Sequence, residues 1–233
     1  MDLSLPTILG LAAVDAVNPC ALAVLTLVLL AILTKYPKKK GMVLKVGLSF
    51  TLAVFIFYFL YGIIIIRVFQ TALEAIEGVK TFLYSGLGIF ALALGALNIK
   101  DYWRYGGGGF VMEVPRGWRP RMKRLVAGVT SARGAFVIGV VVTLFLLPCT
   151  IGPYIIAGGI LSPIEILATV PWLLVYNLVF VSPMIGITLI IYGGYATVGK
   201  TSGWRERNIQ RLHLFAGAVM VILGILLVSG LLH

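Results

Sequence analysis

The chain of 233 residues is 60% apolar, has a mean hydropathy of +1.05 and is only 12% charged. A soluble domain carries about 25% charged residues, so a soluble fold is excluded, and disordered, collagen-like and disulfide-rich secreted chains are excluded with it. An all-α polytopic membrane protein remains, in which a net charge of +11 and two cysteines, Cys20 and Cys149, need their own reasons.

A helix crosses a bilayer with about 20 mainly apolar residues. The first such stretch, residues 5–33, contains Asp15, Asn18, Pro19 and Cys20. No basic residue precedes it and it is long, so it reads as a span and not as a cleaved leader. A loop with Lys35, Lys38, Lys39, Lys40 and Lys45 leads to span 2 at 46–66. Arg67 and Lys80 separate that span from span 3 at 82–99. The connection 100–133 is basic and holds Trp103, Trp118 and four successive glycines at 106–109. No Gly-Lys-Ser/Thr follows them, so they read as a hinge in a linker and not as a phosphate loop. A docking segment for a soluble partner is the other reading of this linker. Span 4 at 134–161 carries Pro148, Cys149, Gly152 and Pro153. Span 5 covers 166–192, and after Lys200, Arg205, Arg207 and Arg211, span 6 covers 214–232.

Seventeen of the nineteen basic residues thus fall in the 1–2, 3–4 and 5–6 connections. The positive-inside rule makes those connections cytoplasmic and both termini extracytoplasmic. Basic residues in short loops beside membrane ends, without a nucleic-acid-binding motif, answer to lipid headgroups and not to nucleic acid.

Cys20 and Cys149 each directly follow a proline midway along a span, one in each half of the chain. The offset that carries Cys20 onto Cys149 also carries span 2 onto 175–195 and span 3 onto 211–228, largely spans 5 and 6. Residues 1–99 and 134–233 therefore read as two three-helix repeats joined by linker 100–133. An odd number of spans per repeat inverts the second, and such folds place their sites near the midplane where the halves meet.

Proline lacks an N–H donor and breaks or kinks a helix unless it begins one. Pro19 and Pro148 are expected to start half-helices, with Gly152 and Pro153 interrupting span 4 further on. Each cysteine then sits in a first turn, where exposed N–H groups stabilise a thiolate. The bland reading is that cysteine is a small apolar residue that packs anywhere. Two cysteines at repeat-equivalent positions argue against it, and antiparallel half-helices could bring them within disulfide reach, about 5.5–6 Å between Cα atoms. Asp15 is the one acid inside a span, five residues or about 7–8 Å of helix rise before Cys20. With Asn18 it fits a proton acceptor for the thiols or a polar position facing a water cavity. His213 and His233 lie at opposite ends of span 6, so no metal site is expected, and no cofactor motif occurs.

The paired Pro-Cys motifs in spans 1 and 4, and above all Pro148-Cys149-Thr150-Ile151-Gly152-Pro153, resemble the CcdA family and the transmembrane domain of DsbD across essentially the whole chain. The first motif departs from the family pattern, having Ala23 where a proline is usual. The resemblance implies an oxidoreductase-like thiol–disulfide exchange. Electrons would pass from cytoplasmic thioredoxin through Cys20 and Cys149 to an extracytoplasmic thioredoxin-like acceptor serving c-type cytochrome maturation. Both partners would be separate proteins. The competing reading is a small-molecule or ion exporter of the same architecture, with non-redox cysteines and Asp15 and Asn18 holding substrate. A quinone-linked thiol oxidant is a third, but it generally needs further cysteines.

Overall fold

The computed structural model describes residues 5–16, 19–36, 39–75, 79–103, 124–126, 131–194 and 198–229, with the side chains of 19–21 and 145–152, among others, outside the described set. Its helices are α1 (Leu5–Ala16), α2 (Pro19–Lys35), α3 (Lys40–Ala75), α4 (Val79–Trp103), α5 (Ala132–Leu161), α6 (Ile166–Tyr192) and α7 (Val198–Val228). No strand occurs among the described residues. The all-helical expectation is met, and the reason is elementary. Long apolar runs offer no water to the backbone, so each N–H and C=O must bond within its own helix.

Three helical stretches among the described residues are long and apolar enough to cross a membrane: Lys40–Thr71, Ile166–Tyr192 and Gln210–Val228. Their outer faces are apolar too. Ile64 is 58% exposed, Leu167 74% and Ile222 57%, a surface suited to lipid and costly in water. This is the construction of a membrane protein.

Several boundaries differ from the sequence reading: α3 overruns span 2 (46–66) at both ends and α4 overruns span 3 (82–99), and two further differences bear on the site. Residues 5–33 form two helices, α1 and α2, on either side of residues 17–18, which lie outside the described set. The expected 5–6 loop is shorter, because α7 begins at Val198 and carries Arg205, Arg207 and Arg211 on helix. Arginine is a good helix former, so charge alone did not end this segment. Helix α6, by contrast, has the bounds read from hydropathy, 166–192. Of linker 100–133, residues 104–123, with the four glycines and Trp118, lie outside the described set.

Direction along the bundle follows from contacts between named residues. Ser49 Oγ donates to Ala132 O at 2.7 Å near the start of α5, and Gln70 Nε2 donates to Ile164 O at 2.6 Å just beyond its end. Helices α3 and α5 are therefore parallel. Helix α6 returns antiparallel to α3, with Leu173 against Gly62 and Thr188 against Gly47. It closes on Gly194, whose φ of +76° suits a residue without Cβ, beside Lys40 Nζ. The basic starts of α3 and α5, with Lys40, Lys45 and Arg133, and the C-terminal end of α6 thus gather at one end of the bundle. Ser131 caps α5 there, its hydroxyl accepting the Gly134 N–H at 3.1 Å.

Helices α4 and α7 meet closely through glycine. A Cβ on Gly88 would stand 3.1 Å from Gly224 O, and one on Gly95 would stand 3.0 Å from Gly217 O. Conversely, a Cβ on Gly217 or Gly224 would stand 2.9 Å from Gly95 O or Gly88 O. Small residues let membrane helices approach to backbone contact. The pairs run antiparallel, and the Cys20-to-Cys149 offset carries Gly88 onto Gly217 and Gly95 onto Gly224.

Candidate functional site: the cysteine helices and a buried polar cluster

Pro19 is the first residue of α2 and Cys20 the second, so the first helix start falls where the proline rule puts it. Asn18 and the Cys20 side chain lie outside the described residues. With α1 ending at Ala16, the five residues from Asp15 to Cys20 are not the rise of one helix.

The second proline behaves differently. Helix α5 runs unbroken from Ala132 to Leu161 through Pro148, Cys149, Gly152 and Pro153, so the half-helix expected to begin at Pro148 is absent from the backbone. A proline removes one donor and crowds one carbonyl, and apolar helix on both flanks keeps the helical path across that defect. Pro153 is buried. The side chains of Pro148 and Cys149 lie outside the described set.

Asp15 is where the described site takes shape. It is 1% exposed on α1, and Tyr176 Oη of α6 donates to its Oδ2 at 3.1 Å. Asp15 Oδ1 has no hydrogen-bond partner among the described residues. No lysine, arginine or histidine forms an ion pair with Asp15 among them; the one described ion pair joins Lys100 and Asp101 at 3.6 Å.

The Tyr176 ring meets the Tyr154 ring of α5 edge to face, with centroids 5.1 Å apart. Tyr154 Oη donates to Tyr58 O of α3 at 2.5 Å and accepts from Asn177 Nδ2 at 3.0 Å. Asn177 Nδ2 also reaches Leu173 O at 2.8 Å, and the Tyr58 and Phe180 rings meet tilted at 34° with centroids 4.8 Å apart. Asp15, Tyr58, Tyr154, Tyr176 and Asn177 are all buried, and they tie α1, α3, α5 and α6 together. Bonded hydroxyls and amides inside a low-dielectric bundle give one rigid arrangement; unbonded, each would cost free energy.

A second buried polar contact joins α4 and α7, where His213 Nδ1 and Asn98 Oδ1 lie 3.0 Å apart. Asn98 Nδ2 donates to Leu94 O at 3.0 Å, so its oxygen faces the imidazole. Among the described residues no group of three His, Cys, Asp or Glu is placed to hold a metal.

Sequence reading found Asp15 and missed Tyr154, Tyr176 and Asn177. The available signal was weak: a Tyr-Asn pair inside span 5, and a tyrosine directly after Pro153. Aromatic residues in a span look like packing until their hydroxyls find partners.

No protein-family model, no curated protein and no solved structure matches this chain.

Proposed function

We propose that this chain is a six-span carrier of reducing equivalents, built as two inverted three-helix repeats, that moves electrons across a membrane by thiol–disulfide exchange at Cys20 and Cys149. The observation that carries the reading is the cysteine pair itself: the chain's two cysteines stand at equivalent positions of the two halves, each directly after a proline. Two further observations support it. Cys20 is the second residue of α2, where N–H groups favour a thiolate. The α4–α7 glycine contacts obey the same offset as the cysteines, as an inverted repeat with its two-fold axis between those helices requires.

In this reading the basic ends face the cytoplasm, as the distribution of lysine and arginine favours, and the termini lie outside. A thiolate of cytoplasmic thioredoxin attacks one sulfur of the Cys20–Cys149 disulfide. That S–S bond breaks, a mixed disulfide forms, and the released thiolate takes a proton. The second thioredoxin thiol then attacks the mixed disulfide, so thioredoxin leaves oxidised and the chain holds two thiols. The dithiol treats the disulfide of an extracytoplasmic thioredoxin-like protein in the same way. Two electrons and two protons pass outward per cycle. In the CcdA-like setting that the motifs resemble, the acceptor serves c-type cytochrome maturation.

Cys149 lies 17 residues from the start of α5 and 12 from its end, roughly 25 and 18 Å of helix rise, and Cys20 lies 15 residues, roughly 22 Å, from the end of α2, too deep for a partner's active site to reach through lipid. The halves therefore rock about the midplane and expose the pair to one face at a time.

The test is a trap. Thioredoxin lacking its resolving cysteine, incubated with the oxidised chain in nanodiscs, is expected to form a mixed disulfide that Cys20→Ser and Cys149→Ser each abolish. Absence of the adduct with the wild-type chain overturns the reading and leaves the exporter.

A further inference from the structure

Asp15 brings a negative charge into the bundle, and its described surroundings do not balance that charge. One carboxylate oxygen accepts a single hydroxyl at 3.1 Å, the other accepts nothing, and no basic side chain pairs with either among the described residues. An ionised carboxylate moved from water into such a setting carries a large desolvation cost even after relaxation. One hydroxyl hydrogen bond returns only part of that cost. A carboxylate so placed calls for a cation from outside the chain.

The repeat sharpens the point. The offset between the two cysteines relates Asp15 to Leu144, Tyr154 to Leu25, Tyr176 to Gly47 and Asn177 to Leu48. Every polar member of the cluster has an apolar or glycine counterpart in the other half. Leu144 and Leu48 are exposed on the outside of the bundle where Asp15 and Asn177 are buried, so the buried polar cluster belongs to one side of the proposed repeat alone.

We infer that the buried Asp15 carboxylate, with its open Oδ1 and the Tyr176 hydroxyl on Oδ2, is a binding site for a small monovalent cation, a proton or a sodium ion. Tyr176 of α6 and, behind it, Tyr154 of α5 and Tyr58 of α3 are the described titratable groups facing it, and none supplies positive charge. Occupancy neutralises Asp15 and holds α1 against α6, so the cation favours the arrangement in which that contact is made. The site uses neither cysteine and goes beyond the thiol reading.

A cation that binds the folded chain raises its melting temperature by mass action. The full chain in nanodiscs is melted in choline chloride, first against added sodium at fixed pH, then against pH without sodium. A rise with sodium identifies sodium as the cation; a rise with acidity alone identifies the proton. Either response is expected to amount to a few degrees and to disappear in Asp15→Asn, which keeps the side-chain shape and an acceptor for Tyr176. Tyr176→Phe retains Asp15 and the ring, so it serves even if Asp15→Asn does not fold; it is expected to shift the midpoint of the response roughly tenfold in cation concentration. No response in the wild-type chain, an equal response in Asp15→Asn, or an unshifted midpoint in Tyr176→Phe overturns the site. The double variant Cys20→Ser/Cys149→Ser is expected to keep the response, which separates failure of this site from failure of thiol exchange.

Discussion

Gly95 of α4 and Gly217 of α7 touch backbone to backbone: a Cβ on either would come within 3.0 Å of the other's carbonyl oxygen. The carbonyls belong to helices and cannot move aside cheaply. Gly95→Ala and Gly217→Ala are each expected to destabilise the chain by about 1–3 kcal/mol through overpacking. Gly86→Ala, on the same helix with nothing within 4 Å of its Cβ, is expected to be neutral or to stabilise by up to about 1 kcal/mol through helix propensity. Thermal unfolding of the three variants in one detergent checks the contrast; equal effects would mean the helices do not meet through these glycines.

Tyr154→Phe keeps the edge-to-face contacts with Tyr58 and Tyr176 and removes the hydroxyl that bonds Tyr58 O and Asn177. The expected loss is about 0.5–1.5 kcal/mol, at the upper part of what such bonds contribute inside membranes. Equilibrium unfolding measures it, and a stabilised variant would contradict the network.

Asn98 and His213 couple α4 to α7 at 3.0 Å. A double-mutant cycle of Asn98→Ala and His213→Ala is expected to return an interaction of about 0.6–1.7 kcal/mol. Strictly additive single effects would deny the bond.

In the proposed carrier cycle, rocking of the two halves exposes the thiols alternately. Impermeant alkylating reagents added from each side, before and after reduction, are therefore expected to reach Cys20 and Cys149 from both faces in different states. Labelling confined to one face in every state would defeat alternating access.

Much of the architecture was legible because hydropathy is a local property. The bounds of α6 could be read from composition alone, as could the approximate positions of α3, α4 and α7. The proline rule placed the start of α2 at Pro19, where the preceding segment stops at Ala16. It failed at Pro148, where the same residue type sits within α5, because a single proline weighs one lost donor against all the helical bonds on either side. Charge was equally ambiguous at 198–211, where arginines marking a membrane boundary are still good helix formers.

The sequence by itself determined an all-helical membrane chain and the exceptional standing of Asp15 as an acid within a span. Tertiary structure alone decided what Asp15 meets: a tyrosine far along the chain, Tyr176, reached because α1 and α6 pack with those faces turned toward each other. It likewise decided that Gly88 lies against Gly224, and Gly95 against Gly217. Helix existence follows from residues that are neighbours in the chain. The rotation and depth at which two helices meet follow from side-chain packing between distant segments, and on that packing depends whether a buried polar group finds a partner or is left open.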